Sequence, residues 1–319
     1  MKAKAAPARP TPAIMKQGKL APWLFVGPAL LIVLAYIAYP TLNTILLSFQ
    51  NRNSTALASA ACQPGQPCWG ILENYRYALT SPVMLNTFRN NLLWLIFMVG
   101  GTVGLGLLFA VLVDRVRYEP LAKALIFMPM AISFVGAGVI WKFVYAYPIN
   151  PADPSAPIIG LLNALVVGLG GRPISWLTEG PILNNLALIV VGIWMWTGFC
   201  MTILSAALKG VPGEILEAAR VDGATEWKVF WKIMVPVIMP TITVVATTMT
   251  INVLKVFDIV YVMTGGNWST DVIANRMYME MYQHQEFGRS SAIAVILILA
   301  IVPIMIFNVR RFQEQEAIR

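Results

Sequence analysis

The sequence predicts an all-α membrane protein with about six transmembrane helices. Of its 319 residues, 58% are hydrophobic and only 12% are charged, whereas a soluble domain carries about 25% charged residues. The apolar residues come in runs long enough to cross a hydrocarbon layer, which takes about 20 helical residues. Lys and Arg gather at alternate ends of those runs, the bias that sets orientation in a membrane.

In chain order, residues 1–20 form a polar, basic tail. The apolar run behind it, residues 21–49, is too long for the cleavable core of a signal peptide, about 7–15 residues, and is read as span 1. Residues 50–89 form a polar loop in which Cys62 and Cys68 flank turn residues. In an oxidising compartment the two could close a disulfide; two free thiols are the alternative. Span 2 covers 91–113 and is rich in glycine (Gly100, Gly101, Gly104, Gly106), which lets membrane helices approach closely. Span 3 covers 121–145. A Pro- and Gly-rich loop follows, with an apolar stretch at 158–169 too short to cross. Spans 4, 5 and 6 cover 185–207, 237–263 and 290–309, and residues 312–319 form a short tail.

About 15 Lys and Arg lie on the side of the two tails, the Asp114 turn and the segment 208–236, against about 6 in the alternate loops. Both termini and that segment are therefore expected in the cytoplasm. The formal charge of +8 forms no basic patch with interleaved aromatics, so nucleic acid is not expected as a partner. Membrane lipid is. No internal repeat marks a self-contained inverted-repeat transporter.

Residues 208–236 are the conspicuous polar interruption. Connections in helical bundles take about 2–8 residues, and this one is several times longer and is itself helix-patterned. Glu214, Glu217 and Ala218 suit a short helix, Gly223 suits a left-handed turn, and a second amphipathic helix is expected after it. There Trp227, Phe230 and Trp231 share a face, expected to pack that helix on the spans.

Glu217-Ala218-Ala219, then three residues and Gly223, then nine residues and Ile233, Val235 and Pro236, resemble the EAA motif of permease subunits of bacterial ABC importers. Phe257 to Gly266 resembles the span-5 exit of the carbohydrate branch, and Phe127 to Tyr145 is similar to maltose/α-glucoside-type permeases. The resemblance covers about Pro22 to Arg311. It implies a type I importer permease in the bacterial inner membrane, with residues 21–311 as the permease domain. It also implies a second homologous permease subunit, two cytoplasmic ATPases that bind ATP and Mg, an extracytoplasmic solute-binding protein and a sugar substrate. The EAA turn, with Glu217, Ala218, Ala219, Asp222 and Gly223, would sit in an ATPase cleft. The chain has no G-x-x-x-x-G-K-[ST] loop, so any ATP would bind elsewhere. No cofactor, metal or catalytic residue is expected in this chain.

Ionisable and amide groups within spans tend to face a water-filled path. Asn252, Lys255 and Asp258 lie three apart in span 5, and Lys255 could pair with Asp258 as a purely structural bridge. The resemblance places sugar-contacting positions near Asn252 and Lys255, and near Gly192, Met195, Trp196 and Phe199 in span 4; a looser alignment adds Trp141 and Tyr145. Trp194 and Trp196 lie two apart and so point to different sides of a helix. The solute expected is an α-glucoside, a di- or oligosaccharide or a glucosyl compatible solute. A stand-alone secondary transporter or channel is the alternative, though it has no reason to carry the EAA segment. A membrane enzyme would need a nucleophile–base pair or a metal cluster. Cys200 has no nearby histidine in sequence, and no H-E-x-x-H motif occurs.

Overall fold

The computed structural model describes residues 21–51, 72–148 and 160–317. Cys62 and Cys68 lie outside them. The chain divides into two units, residues 1–46 and 47–319. The first unit holds most of α1 (Trp23–Ser48), a largely apolar helix of 26 residues in which Thr44 donates its hydroxyl to the Pro40 carbonyl.

The second unit is built on α3 (Pro82–Val113), α7 (Leu183–Lys209), α9 (Glu226–Leu254) and α12 (Phe287–Arg310), each long and apolar enough to span. Short helices join them: α2 (Glu73–Thr80), α6 (Leu161–Gly168), α8 (Gly213–Val221), α10 (Asp258–Met263) and α11 (Ile273–Tyr282). The helix α3 starts nine residues earlier than hydropathy alone suggests. Ser81 caps it by accepting from the Met84 amide at 3.3 Å, and Pro82 opens its first turn, where its missing N–H costs nothing.

Two further spans differ from expectation. The third is two helices, α4 (Glu119–Ala131) and α5 (Phe134–Val144), bent by 98°. Pro129 cannot donate to residue 125, Ile132 turns extended, and Ser133 caps α5 by accepting from the Gly136 amide. The fifth does not run from 237 to 263. It begins at Glu226, so the expected second amphipathic helix is its own first turns, and it stops at Leu254. Lys255 and Val256 donate three residues back, to Asn252 and Val253, and α10 restarts the chain at Asp258.

Helices α3 and α7 form the centre of the core, with Trp94, Met98, Leu188, Met201 and Leu204 buried between them and α9. Two glycines let α7 pack closely, one on α3 facing α7 and one on α7 facing α4. A Cβ on Gly106 would lie 2.6 Å from the Cys200 Cβ, and one on Gly198 would lie 2.5 Å from the Ile126 carbonyl oxygen of α4. By contrast, a Cβ on Gly100 or Gly104 would meet nothing. The α4 backbone at Gly198 cannot yield as a side chain could. Gly198→Val is therefore expected to destabilise by about 1–3 kcal/mol, read as an earlier thermal midpoint in detergent, while Gly104→Ala leaves the midpoint in place.

At the ends of α3 and α7 remote from α8, two asparagine pairs hold the loop between Thr264 and Val272. Asn90 donates to the Ser269 and Asp271 carbonyls at 2.7 and 2.8 Å. Asn91 accepts from the Ile273 amide at 2.8 Å. Asn184 donates to the Trp268 carbonyl, and Asn185 to that of Ser269. Trp268 and Ser269 sit at φ 53° and 60°, a left-handed geometry that costs side-chain-bearing residues roughly 1–2 kcal/mol each. The amides hold those carbonyls in place.

Candidate functional site: the coupling segment and the span-4 aromatics

The segment that resembles the EAA motif is a helix, a turn and a second helix start. Helix α8 buries none of its residues; Glu217 and Ala218 are exposed and Ala219 half-buried. At its end Gly223 has φ 77°. The Gly223 amide donates to the Arg220 carbonyl and the Ala224 amide to that of Ala219, both at 3.0 Å, a pair of reverse bonds that closes a helix on a left-handed residue. Thr225 then caps α9 by accepting from the Lys228 amide. Asp222 and Gly223 stand exposed at the tip. Arg220 donates to Glu226 across the turn at 2.8 Å, and that partner raises its pKa above the ordinary guanidinium value. The five predicted residues thus occupy one projecting, rigid corner.

Of the expected aromatic stripe, Phe230 is half-buried, whereas Trp227 is 71% exposed and Trp231 48% exposed. The stripe packs less than expected. Its rings meet edge-on and rim a groove of about 540 Å³ between α3, α7 and α9.

The proposed path residues do not form one cluster. Met195 and Trp196 share a cavity of about 200 Å³ with Met130, Ser133 and Phe134 at the break between α4 and α5. Trp196 lies between Phe134, at 6.0 Å, and Phe199, at 5.5 Å. Trp141 and Tyr145 stand elsewhere, with Trp194 and Trp176 around a cavity of about 510 Å³. Trp141 meets Trp194 edge-on at 5.6 Å, so Trp194 and Trp196 do face different sides. The Tyr145 hydroxyl donates to the Ala187 carbonyl at 2.9 Å, which ties α5 to α7. Gly192 is buried against Met98 and Trp94, a packing position.

On α9 the Asn252 amide donates to the Thr248 carbonyl of its own helix at 2.9 Å. The expected common face fails beyond it, because the helix ends before Lys255 and Asp258 belongs to α10. Among the described residues no ion pair joins Lys255 to Asp258, and Lys255 is exposed. No group of three or more His, Cys, Asp or Glu is placed to hold a metal among them.

Sequence reasoning did not find Phe134 and Ser133, which enter the Trp196 cavity only because the third span is broken. It also missed the asparagine pairs. Two amides side by side at the start of an apolar run need partners when buried, and Asn90-Asn91 and Asn184-Asn185 carry that signal. His284, the single histidine of the sequence, stands 3.5 Å from the buried Glu280 carboxylate.

The model of the binding-protein-dependent transport system inner membrane component family matches residues 103–314. This chain belongs to that family. The permease is 56% identical over 296 residues to the osmoprotective compounds uptake permease protein GgtC of Synechocystis, covering 93% of this chain and all of the relative. It is 48% identical over 290 residues to the alpha-glucoside transport system permease protein AglF of Rhizobium meliloti, covering 91% and 81%. The permease chain of a bacterial alginate ABC transporter in complex with its periplasmic protein superposes with a TM-score of 0.73 at 19% identity, covering 90% and 92% of the two chains. That likeness establishes the fold. The permease is thus an inner-membrane transport subunit of an ABC importer and not an enzyme, and the system works with an ATPase and a binding protein.

Proposed function

We propose that the permease carries a glucosyl solute inward: an α-glucoside, a di- or oligosaccharide or a glucosyl compatible solute. The high identity to relatives named for osmoprotective compounds and for alpha-glucosides supports this over other cargoes. It pairs with a second, homologous permease. Two cytoplasmic ATPases, which bind ATP and Mg²⁺, seat on the two permeases, and both termini and α8 lie on the cytoplasmic side. Glu217, Ala218, Ala219, Asp222 and Gly223 enter the ATPase cleft. The observation that carries this role is a helix that exposes Glu217 and Ala218, with only Leu216 packed half-buried on the core, closed at its end by the Gly223 turn. A rigid corner transmits rigid-body motion, which a floppy loop does not.

The solute passes Trp196 and Phe199, whose aromatic faces suit sugar rings, and Met195 beside them, and Asn252 supplies an amide. Lys255 and Asp258 serve this path as separate groups and not as a pair. Trp141, Tyr145 and Gly192 support it from behind. Replacement of Trp196 or Asn252 by alanine is expected to change the relative uptake of glucosyl solutes by about ten-fold or more, since one lost pocket contact discriminates at roughly 10–200-fold, with the complex intact. Competition uptake assays in vesicles with ATP inside check it. An unchanged solute profile at both positions would remove them from the path. A binding screen of α-glucosides, di- and oligosaccharides and glucosyl compatible solutes on the cognate binding protein tests the cargo, and retention of a non-carbohydrate ligand alone would sink it.

A further inference from the structure

Both roots of the exposed helix α8 are tied to one short turn. At the first root, Lys209 at the end of α7 donates to Glu119 at the start of α4. Glu119 also binds Lys123 at 2.7 Å, and Lys123 binds Asp114 at 2.8 Å. Ser205, one turn before Lys209, donates to Asp114 at 2.7 Å and accepts from Lys123. At the second root, Glu226 holds Arg220 at 2.8 Å and stands 3.8 Å from Arg115. The turn from Asp114 to Glu119, which joins α3 to α4, therefore grips α8 from before and from behind.

We infer that this turn is a clasp that carries the movement of α8 into the second and third spans, with Glu119 and Glu226 as its positioning residues. The inference rests on the coupling role proposed above for the Glu217–Gly223 corner. Without the clasp, α8 is continuous only with α7 and, through the turn, with α9. Its apolar hold on the core is the half-buried Leu216, and none of its residues is fully buried. At the second root the side chains are half-exposed or more, with Arg115 at 68% and Glu226 at 56%, so those pairs add little to fold stability; at the first root Glu119, Lys123 and Asp114 are more enclosed. Their geometric effect is larger: two ionic ties on opposite roots fix the direction of α8 relative to α3 and α4, where one tie would leave it free to swing. The broken span α4–α5, whose hinge lines the Trp196 cavity, begins at Glu119. A displacement of α8 thus reaches the start of the broken element that borders the proposed path.

The test uses the assembled importer in nanodiscs, with its ATPase and its loaded binding protein. Glu119→Gln, Glu226→Gln and the double variant are compared with wild type. The ATPase should co-purify in full with each. ATP hydrolysis stimulated by the binding protein, and uptake in proteoliposomes, should fall about five- to ten-fold in the double variant, within the range by which residues touching neither ligand alter coupling. The conservative Glu226→Asp should recover most of the single-variant loss. The gap between wild type and double variant should close as salt rises toward about 1 M, where the Debye length is about 3 Å. Stimulated hydrolysis and uptake within two-fold of wild type in the double variant, or a gap unaltered by salt, would overturn the clasp. Uptake by the wild-type complex without ATP would overturn the coupling role beneath it.

Discussion

Gly223→Val is expected to reduce uptake at least ten-fold and to strip the ATPase from the permease during purification, while the permease still inserts in the membrane. The reason is local. Gly223 sits at φ 77°, where a β-branched residue is a genuine outlier and even an ordinary side chain costs roughly 1–2 kcal/mol. Nothing lies within 4 Å of a Cβ placed there, so the penalty is conformational and not steric. The chain can relieve it by rotating Gly223 out of the left-handed region. That breaks the reverse bonds from the Gly223 and Ala224 amides and swings Asp222 away from Glu217. Because α8 buries no residue, the remainder of the fold has little stake in that corner, and thermal stability in detergent should hold. Gly223→Asn separates the two effects, since asparagine tolerates the left-handed region: it should keep much of the activity that valine loses. Equal, wild-type co-purification and uptake in both variants would end the case for this corner as the docking point.

The same corner shows why some of the molecule was legible in the sequence. A glycine that needs a positive φ, charged residues on both sides and a motif of fixed spacing are local facts, and the turn formed where they lie. The long apolar runs were legible for a similar reason, since lipid requires a helix to satisfy every backbone group within itself. Breaks were harder. Pro129 is visible in the sequence, yet proline is tolerated in membrane helices when neighbours compensate. The extended Ile132 and the Ser133 cap, which make the bend, depend on what α4 and α5 pack against. The end of α9 at Leu254 has no glycine or proline to announce it, so a continuous span to 263 was the natural reading, and the Asn252–Lys255–Asp258 face failed with it. The path residues were read from a resemblance that places positions and not faces. Trp141 and Trp196 were named together, and the helix α5 carries Trp141 to a different cavity from the one that Trp196 enters.

Glu280→Gln is expected to be the most destabilising of the single changes considered, and its effect should depend on pH in one direction. Glu280 lies on α11 with its side chain 1% exposed, between the Tyr77 hydroxyl at 2.5 Å and the Arg276 guanidinium at 2.5 Å. Burial opposes its charge, but the Tyr77 hydroxyl and Arg276 outweigh that and hold its carboxyl below the ordinary carboxylate range. Burial and the same carboxylate together push the Tyr77 phenol upward. The carboxylate thus joins α2 to α11 across about 200 residues of chain. Removing its charge leaves Arg276, 18% exposed, without its anion. Breaking a buried pair from one side typically costs about 3–5 kcal/mol. A group whose pKa is lower in the folded state contributes stability that is fully present above its unfolded value, near 4.3 for Glu. That stability is lost as pH falls through the folded value. The thermal midpoint of the wild type should therefore exceed that of Glu280→Gln at about pH 7 to 8, and the margin should shrink below about pH 4. Tyr77→Phe, which keeps the ion pair and removes one hydrogen bond to a charged group, should cost less, about 1.5–3 kcal/mol. Intrinsic tryptophan fluorescence during thermal melts in detergent measures all three. A midpoint for Glu280→Gln equal to wild type at pH 7, or a margin that still grows below about pH 4, would show that the Glu280 charge does not hold α2 to α11.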